Sequence, residues 1–437
     1  MDSSALYGSL HALLSDKTVA QLFKTMIARY IAWDDFRAME LSFPTSTPET
    51  WTLLKLLGRS AGLEIPIPDH AGNEYWYLRT HEIADASASI QCLCRSDSDL
   101  HGDLTVKNNR RVLVRSRIEE TVAAARLDGL DIDPLDATLL LQQDHKPRTA
   151  TERLLRNTLA AMSNLDRFLA TPFSPELFDA LRETLLDGVD TSDLRVVEPR
   201  CGIMTAEYRE EEVRLHADTQ LRYICDYYNH STGDTHDHVV LRALLLPDLF
   251  RFYRPLPDLN SEVGRLAFHL YALKIKLPVL GHLPLSQAKL RWETGTSDPS
   301  VSLDRERYLN AREHDGTDIT GYFTLSVQLA LSALRDLAWS LRELEQHDED
   351  LRSLLQSAPL LNHRQRSILG HALRNPSSEF RISHHRTTHS VVYATARSDL
   401  LGLVDKGYLE ISMQGREMVF TPRPGLHTII ERDMQDM

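Results

Sequence analysis

Cysteine is scarce in this chain: four in 437 residues (Cys92, Cys94, Cys201 and Cys225), scattered along its length. That usage excludes a disulfide framework and fits a reducing compartment. Cys92-x-Cys94 is too tight for the common structural zinc spacing and has no matching second pair, so no metal is expected there. Long apolar runs are absent as well. No stretch reaches the roughly 20 residues that a membrane-spanning helix requires. The first thirty residues alternate apolar and polar at helical spacing and lack the basic start, apolar run and cleavage site of a signal peptide. The expectation is a soluble, cytoplasmic protein with no membrane partner. Length is ample, and suits two or three domains around a large core.

What is present reads as mainly α-helical. Region 1–100 mixes short helices (Ala5–Leu14, Val19–Tyr30, Pro48–Ser60) with an aromatic-rich strand near Tyr75–Tyr77. Region 101–350 repeats apolar residues every three or four positions, as in Leu154, Leu155, Leu159 and Met162, or Val327, Leu331, Leu334, Ala338 and Leu341, which marks buried helix faces. Ser174-Pro175 supplies an N-cap with proline at the first helical position, and Gly188 sits where that helix should end. Leu194–Leu215 reads as extended structure. Residues 360–437 form a separate C-terminal domain.

The most informative segment is 242–265, RALLLPDLFRFYRPLPDLNSEVGR. Ala243, Phe250 and Tyr253 fall at helical spacing, and Pro255, Asp258, Asn260 and Arg265 follow in a loop. This frame resembles the active-site motif of the Fic family. There a helix A-x-x-x-H-x-x-F-x-x-I runs into the loop H-P-F-x-[DE]-G-N-G-R-x-x-R, which holds ATP and magnesium. The reactive positions differ. Arg254 stands where the resemblance puts the catalytic histidine, Leu259 and Ser261 replace the two glycines, and Glu262 replaces the phosphate-binding arginine. Pro247 takes the place of another histidine, within the helix, where it removes an N–H.

Each replacement has a physical consequence. A guanidinium, with a pKa above about 12, cannot accept a proton near neutral pH, so Arg254 is not a general base. Glycines in an anion-holding loop supply positive φ and let backbone N–H groups approach phosphate oxygens, and Leu259 brings a Cβ and a bulky side chain instead. A carboxylate at 262 repels a triphosphate that an arginine would clamp. Asp258 retains the oxygen chemistry of a magnesium ligand, but magnesium is normally held together with the substrate's own phosphates. Tyr253 is a base only if its pKa is strongly lowered.

Further segments extend the resemblance over roughly residues 30 to 425. RIEETVAAARLDGLDIDP resembles the family's inhibitory helix, [ST]-x-x-x-[ED]-[GN], with Ala124 at the hydroxyl position and Asp128-Gly129 at its end. The resemblance implies an acid meeting the arginine at 262. With Glu262 there, the latch is expected to be dismantled, leaving Asp128 or Glu262 to turn to water or to find Arg254 or Arg265. Glu152, Asn157 and Ala160, the segment Leu280 to Ser286, Tyr308-Leu309 and Asp318-Ile319-Thr320 follow other family segments in order. The family's flap, a small β-hairpin that aligns a target's backbone, corresponds to Leu194–Leu215. More loosely, residues 30–59 are similar to the N-terminal region of larger bacterial Fic proteins.

The C-terminal segment reads as an amphipathic helix (LNHRQRSILGHALRN), two more helices and a hairpin, the order of a winged helix-turn-helix. Thr395, Ala396, Asp399, Leu400, Gly407 and Leu409 match the T-A-x-x-D-L and G-x-L of a domain appended to many Fic proteins. From 362 to 437 there are ten Lys/Arg and eight Asp/Glu, a net of +2 in a chain of net −13. Arg364, Arg381, Arg386, Arg397 and Arg416 are candidates for phosphate contacts. Ser390, Tyr393, Thr395 and Arg397 are candidate base readers at the start of the second helix of the motif. His384-His385-x-x-x-His389 reads as a solvated turn, and Asp234 and Asp237 beside His236 and His238 as N-capping of the motif helix.

The expectation is therefore a Fic/Fido-type helical domain with a β-hairpin flap, followed by a winged helix. Its motif positions are Arg254, Asp258, Asn260, Ser261, Glu262 and Arg265, without the catalytic chemistry. The corresponding function is a non-catalytic regulator or scaffold, with no cofactor. DNA is the expected partner of the winged helix, or a protein through it or the flap, and a homodimer supplies a second half-site. The alternative is a nucleotidyl (AMP) transferase with an altered donor, which would use magnesium and ATP.

Overall fold

The computed structural model describes residues 16–39, 46–69, 72–105, 109–142, 146–194, 217–229, 239–357, 361–374, 378–414 and 417–435. Among the described residues the chain is mainly helical with two small antiparallel sheets. It divides into two units, Met1–Trp339 and Ser340–Met437. The first hundred residues thus share one unit with the motif region, and the division falls near 339 rather than at 350–360. The segments Ala5–Leu14 and 195–215, and residues 234–238, lie outside the described residues.

The first unit opens with α1 (Lys17–Ala28), α2 (Trp33–Ala38) and α3 (Thr47–Ala61), then a hairpin of β1 (Leu63–Pro68) and β2 (Glu74–Tyr77). It continues through α4 (His81–Cys94), α5 (Asp99–Thr105), α6 (Arg110–Leu127), α7 (Pro134–Gln142), α8 (Ala150–Ser163), α9 (Pro175–Leu186) and α10 (Ala217–Asn229). Then come α11 (Val239–Tyr253), α12 (Asn260–Lys274), α13 (Leu285–Glu293), α14 (Arg305–Asp315) and α15 (Thr320–Ser357), within which the division falls. No helix among the described residues is long and apolar enough to cross a membrane.

Local chemistry sets these boundaries. Asp16 accepts from the Thr18 and Val19 N–H groups to start α1. Ser174 Oγ accepts from Leu177 N to start α9, which opens on Pro175 and is followed by Gly188 at φ +64°. α11 runs unbroken through Pro247, with Val240, Leu244, Leu249 and Phe250 among its buried residues. It packs on α12 at Gly264, where a Cβ would lie 2.7 Å from Phe250 Cβ and 3.1 Å from the Pro247 carbonyl oxygen. Only glycine permits that approach of the two helices.

The N-terminal hairpin is stitched into the unit. Trp76 N–H donates to the Thr317 carbonyl and Ile319 N–H to the Trp76 carbonyl, at 3.1 and 2.8 Å. Lys55 Nζ lies 2.6 Å from both Asp315 and Asp318, and Tyr30 OH donates to Asp315 at 2.7 Å. Tyr253 OH donates to the Pro68 carbonyl at 2.5 Å, which fixes the hairpin against the end of α11.

The second unit comprises the end of α15, α16 (His363–Arg374), β3 (Phe380–Arg381), α17 (Ile382–His389), α18 (Tyr393–Asp405), β4 (Leu409–Gln414), β5 (Glu417–Pro422) and α19 (Leu426–Gln435). Its sheet has the order β3-β5-β4, with Phe380 opposite Phe420 and Ile411 also opposite Phe420. Leu369, Ala396, Leu400, Leu403, Phe420 and Ile430 form its core. His384 to His389 lie in α17 rather than in a solvated turn. His385 is buried because its imidazole meets Asp399, with Nε2 3.2 Å from Oδ2.

Candidate functional site

α11 ends at Tyr253 and delivers the loop 254–259 to the start of α12. Arg254 and Leu259 both have positive φ, +48° and +51°. Leu259 thus adopts the backbone conformation that favours glycine, with its side chain buried. Arg254 is exposed, while Ser261 and Glu262 are half-buried on the first turn of α12.

The polar side chains of the loop are engaged from within the protein. Arg182 of α9 grips Asp258 with two hydrogen bonds, Nε to Oδ1 at 2.5 Å and Nη2 to Oδ2 at 2.8 Å. The carboxylate that the sequence offers to magnesium therefore neutralises a guanidinium. Asn260 closes the loop on itself: its Oδ1 accepts from Leu256 N–H and its Nδ2 donates to the Leu256 carbonyl, both at 2.8 Å. Arg265 grips Asp128 in the same forked manner, with Nη1 3.2 Å from Oδ1 and Nη2 on Oδ2.

The two segments meet, and Asp128 finds Arg265, one of the partners left open to it, rather than position 262. Asp128 closes α6, and Gly129 at φ +74° turns the chain away. Ala124, one turn earlier, is buried and contributes only packing. Arg251 Nη1 lies 4.0 Å from Asp128 Oδ1, so two cations face one carboxylate.

Glu262 sits beside this pair. Burial, then the charge of Asp128, pushes its carboxyl up to about 7 against the opposing pull of Arg265. A proton is held on folded Glu262 at pH values where the unfolded chain has released it. Its contribution is therefore present at low pH and lost as pH rises from the ordinary glutamate value through about 7. We expect the melting temperature of the Met1–Trp339 unit to fall over that interval and Glu262→Gln to remove the fall. Because the carboxyl is partly solvated, the effect is about 1–2 kcal/mol. A pH series of melting curves on both proteins checks it.

Beneath the Asp128–Arg265 pair lies a cavity of about 50 Å³, with Glu120, Asp248, Arg251, Arg265 and Lys289 in its wall. It is large enough to hold water. Its charged groups are also paired. Buried Glu120 accepts from Ser286 N–H at 2.7 Å and Oγ at 2.5 Å, and burial raises its carboxyl above the usual range. Asp248 accepts from Lys289 at 2.8 Å and Tyr322 OH at 3.0 Å.

Tyr253 is buried and its OH donates to the Pro68 carbonyl. His269 on α12 is buried with Nδ1 3.0 Å from the Gly281 carbonyl, and burial lowers its pKa to about 3. Among the described residues no group of three His, Cys, Asp or Glu side chains is placed to hold a metal ion. Cys92 is exposed and Cys94 is buried, its thiol pushed up to about 12 by burial, so the pair does not converge on one site.

Arg182, Glu120, Arg251 and Lys289 were not singled out in the sequence. A faint signal exists for Glu120 alone: it falls on the helical face of Ala124 and Leu127, an acid within an apolar stripe.

In the second unit Arg386, Ser390, Tyr393 and Arg397 are exposed around the start of α18, Thr395 is half-buried, and Arg416 lies outside the described residues. Ser390 has φ +51° and turns the chain from α17 into α18. Arg364 is held by buried Asp399 at 2.6 Å, and Arg381 lies in a half-exposed pair with Glu417 at 2.8 Å.

No protein-family model matches the chain. No curated protein matches it either. Among solved structures it is similar to a Fic family protein from Desulfovibrio desulfuricans G20, at 16% identity and TM-score 0.46, covering 79% of this chain and 97% of the other. It is also similar to a Fic domain containing signaling protein from Bacteroides thetaiotaomicron VPI-5482, at 14% identity and TM-score 0.37, covering 61% and 97%.

Proposed function

We propose that this is a Fic-type protein whose nucleotide site is closed from within, and that it acts as a non-catalytic regulator through a C-terminal winged helix. One observation carries the first half: the three polar side chains the loop retains for ligands are each bound to the protein itself, Asp258 to Arg182, Asn260 to Leu256 and Arg265 to Asp128. Magnesium–ATP does not fit this set. The ion would have to displace a forked arginine from its carboxylate, Glu262 opposes the triphosphate, and Leu259 fills the space a glycine would leave.

Support for the second half is the order α16, β3, α17, α18, β4, β5, the exposed Arg386 and Arg397, and the sign of the local charge. Neither arginine forms an ion pair among the described residues. Duplex DNA is the partner that such a module takes, with a homodimer presenting two copies to two half-sites.

A ligand that binds only the folded state must stabilise it, by about 2.7 kcal/mol at a hundred times its dissociation constant. The first unit should therefore show no change in melting temperature on addition of ATP with Mg²⁺. A clear upward shift, or transfer of label from the nucleotide to protein, would replace this reading with a transferase of altered donor.

A further inference from the structure

The geometry points to a specificity for this protein's DNA: Val392, Tyr393 and Arg397 read a half-site in which a guanine adjoins thymine, the apolar pair meeting thymine methyl groups. The inference rests on the DNA-binding reading above and adds the base preference. α18 begins at Tyr393 and buries Ala396, Asp399, Leu400 and Leu403. Tyr393, Ala394, Arg397 and Ser398 therefore share its outer face, at the spacing of one helical turn. Val392, immediately before, is 69% exposed and Tyr393 55%.

Val392 breaks a local rule without any gain to the fold. It occupies the N-cap of α18 and forms no capping hydrogen bond, at a position where Ser, Thr, Asp or Asn would satisfy a free backbone N–H. Its side chain goes into water instead of the core. A large apolar pair held open at the start of a helix, flanked by unpaired arginines, is suited to a surface that is both apolar and anionic.

The major groove offers one. The N-terminal residues of the second helix in a helix-turn-helix lie on base edges, and thymine alone presents a methyl group there. The guanidinium of Arg397 matches guanine O6 and N7. Between 390 and 398 there is no Asn or Gln to take adenine in a forked pair and no Asp or Glu for cytosine, which leaves only the less selective hydroxyls of Ser390, Thr395 and Ser398 for those bases. Arg386, exposed near the end of α17, supplies a phosphate contact.

The test uses the full chain. Duplexes are selected from a random library at about 50 and about 200 mM salt, where phosphate contacts alone are progressively lost. The selected site is then titrated with each thymine replaced in turn by deoxyuridine, which removes only the methyl. The expected site places guanine next to thymine on the strand. Deoxyuridine at that thymine weakens wild type several-fold but leaves Val392→Ala or Tyr393→Ala, already weak, unchanged, and Arg397→Ala costs about tenfold and relaxes the guanine. Both apolar positions are exposed, and an unchanged melting curve for the variants separates lost contact from lost fold. Selected sites without thymine, or indifferent to its methyl, overturn the base preference and leave DNA binding intact. No selection at either salt overturns both and makes this face a protein-docking surface.

Discussion

Arg265→Ala should destabilise the Met1–Trp339 unit by about 3–5 kcal/mol, the range found when one partner of a buried ion pair is removed. Arg265 and Asp128 side chains are 14% and 9% exposed, so neither partner can simply turn to water. Without the guanidinium, Asp128, Glu262 and Glu120 face one another, and Arg251, 4.0 Å from Asp128, is left to oppose them. Asp128→Asn should lose much less, about 1–2 kcal/mol. Arg265 then keeps Glu262 as a counter-charge, and loss of the Asp128 charge brings the Glu262 carboxyl back down towards its ordinary range. Urea unfolding of the two variants checks the inequality. Equal losses would mean that Glu262 does not face Arg265 in solution and that Asp128 is the sole counter-charge on which the arginine depends.

An arginine flanked by more than one acid should tolerate loss of one of them better than the acids tolerate loss of the arginine. Asp258 with Arg182, and Asn260 with Leu256, are likewise held from within the protein.

How much of this was legible in the sequence depends on whether a property is local. Ser174 and Gly188 fix the ends of α9 because a cap and a left-handed residue act within one turn. Motif spacing placed Asp258, Asn260 and Arg265 around one loop for the same reason. Arg182 lies 76 residues before Asp258, and Glu120 meets Ser286 across 166 residues, separations over which periodicity carries no information about which helix faces meet. Position 259 shows the limit from the other side. Leucine predicts loss of the glycine conformation, yet Leu259 keeps φ at +51° because the chain must turn there to start α12, and burial of its side chain offsets the strain. In α17 the polar run His384-His385 suggested solvent, but a carboxylate fourteen residues later gives His385 a reason to be inside.

Asp399 is that carboxylate, and Asp399→Ala should lower the melting temperature of the Ser340–Met437 unit by about 15 °C, equivalent to about 3 kcal/mol in a unit of this size. It accepts from Arg364 Nε at 2.6 Å and Nη2 at 3.1 Å, from Asn362 at 2.8 Å and from His385, so one side chain of α18 ties down α16 and α17. Burial opposes its charge, yet these hydrogen bonds prevail and hold the carboxyl below its ordinary value. The stabilisation is thus complete above the ordinary aspartate value and is lost as pH falls through the lowered one. Truncation leaves His385 buried without its acid, while Arg364, 20% exposed, can turn outward. Asp399→Asn keeps an acceptor and the packing volume, and should lose about half as much. On the DNA-binding reading proposed above, affinity separates structural from direct roles: Asp399→Asn, studied well below its melting temperature, should bind as wild type does, because the residue lies on the inner face of α18, opposite Tyr393 and Arg397. Weakened binding by a fully folded Asp399→Asn protein would mean that the tie sets the pose of α18 on DNA as well as the stability of the unit.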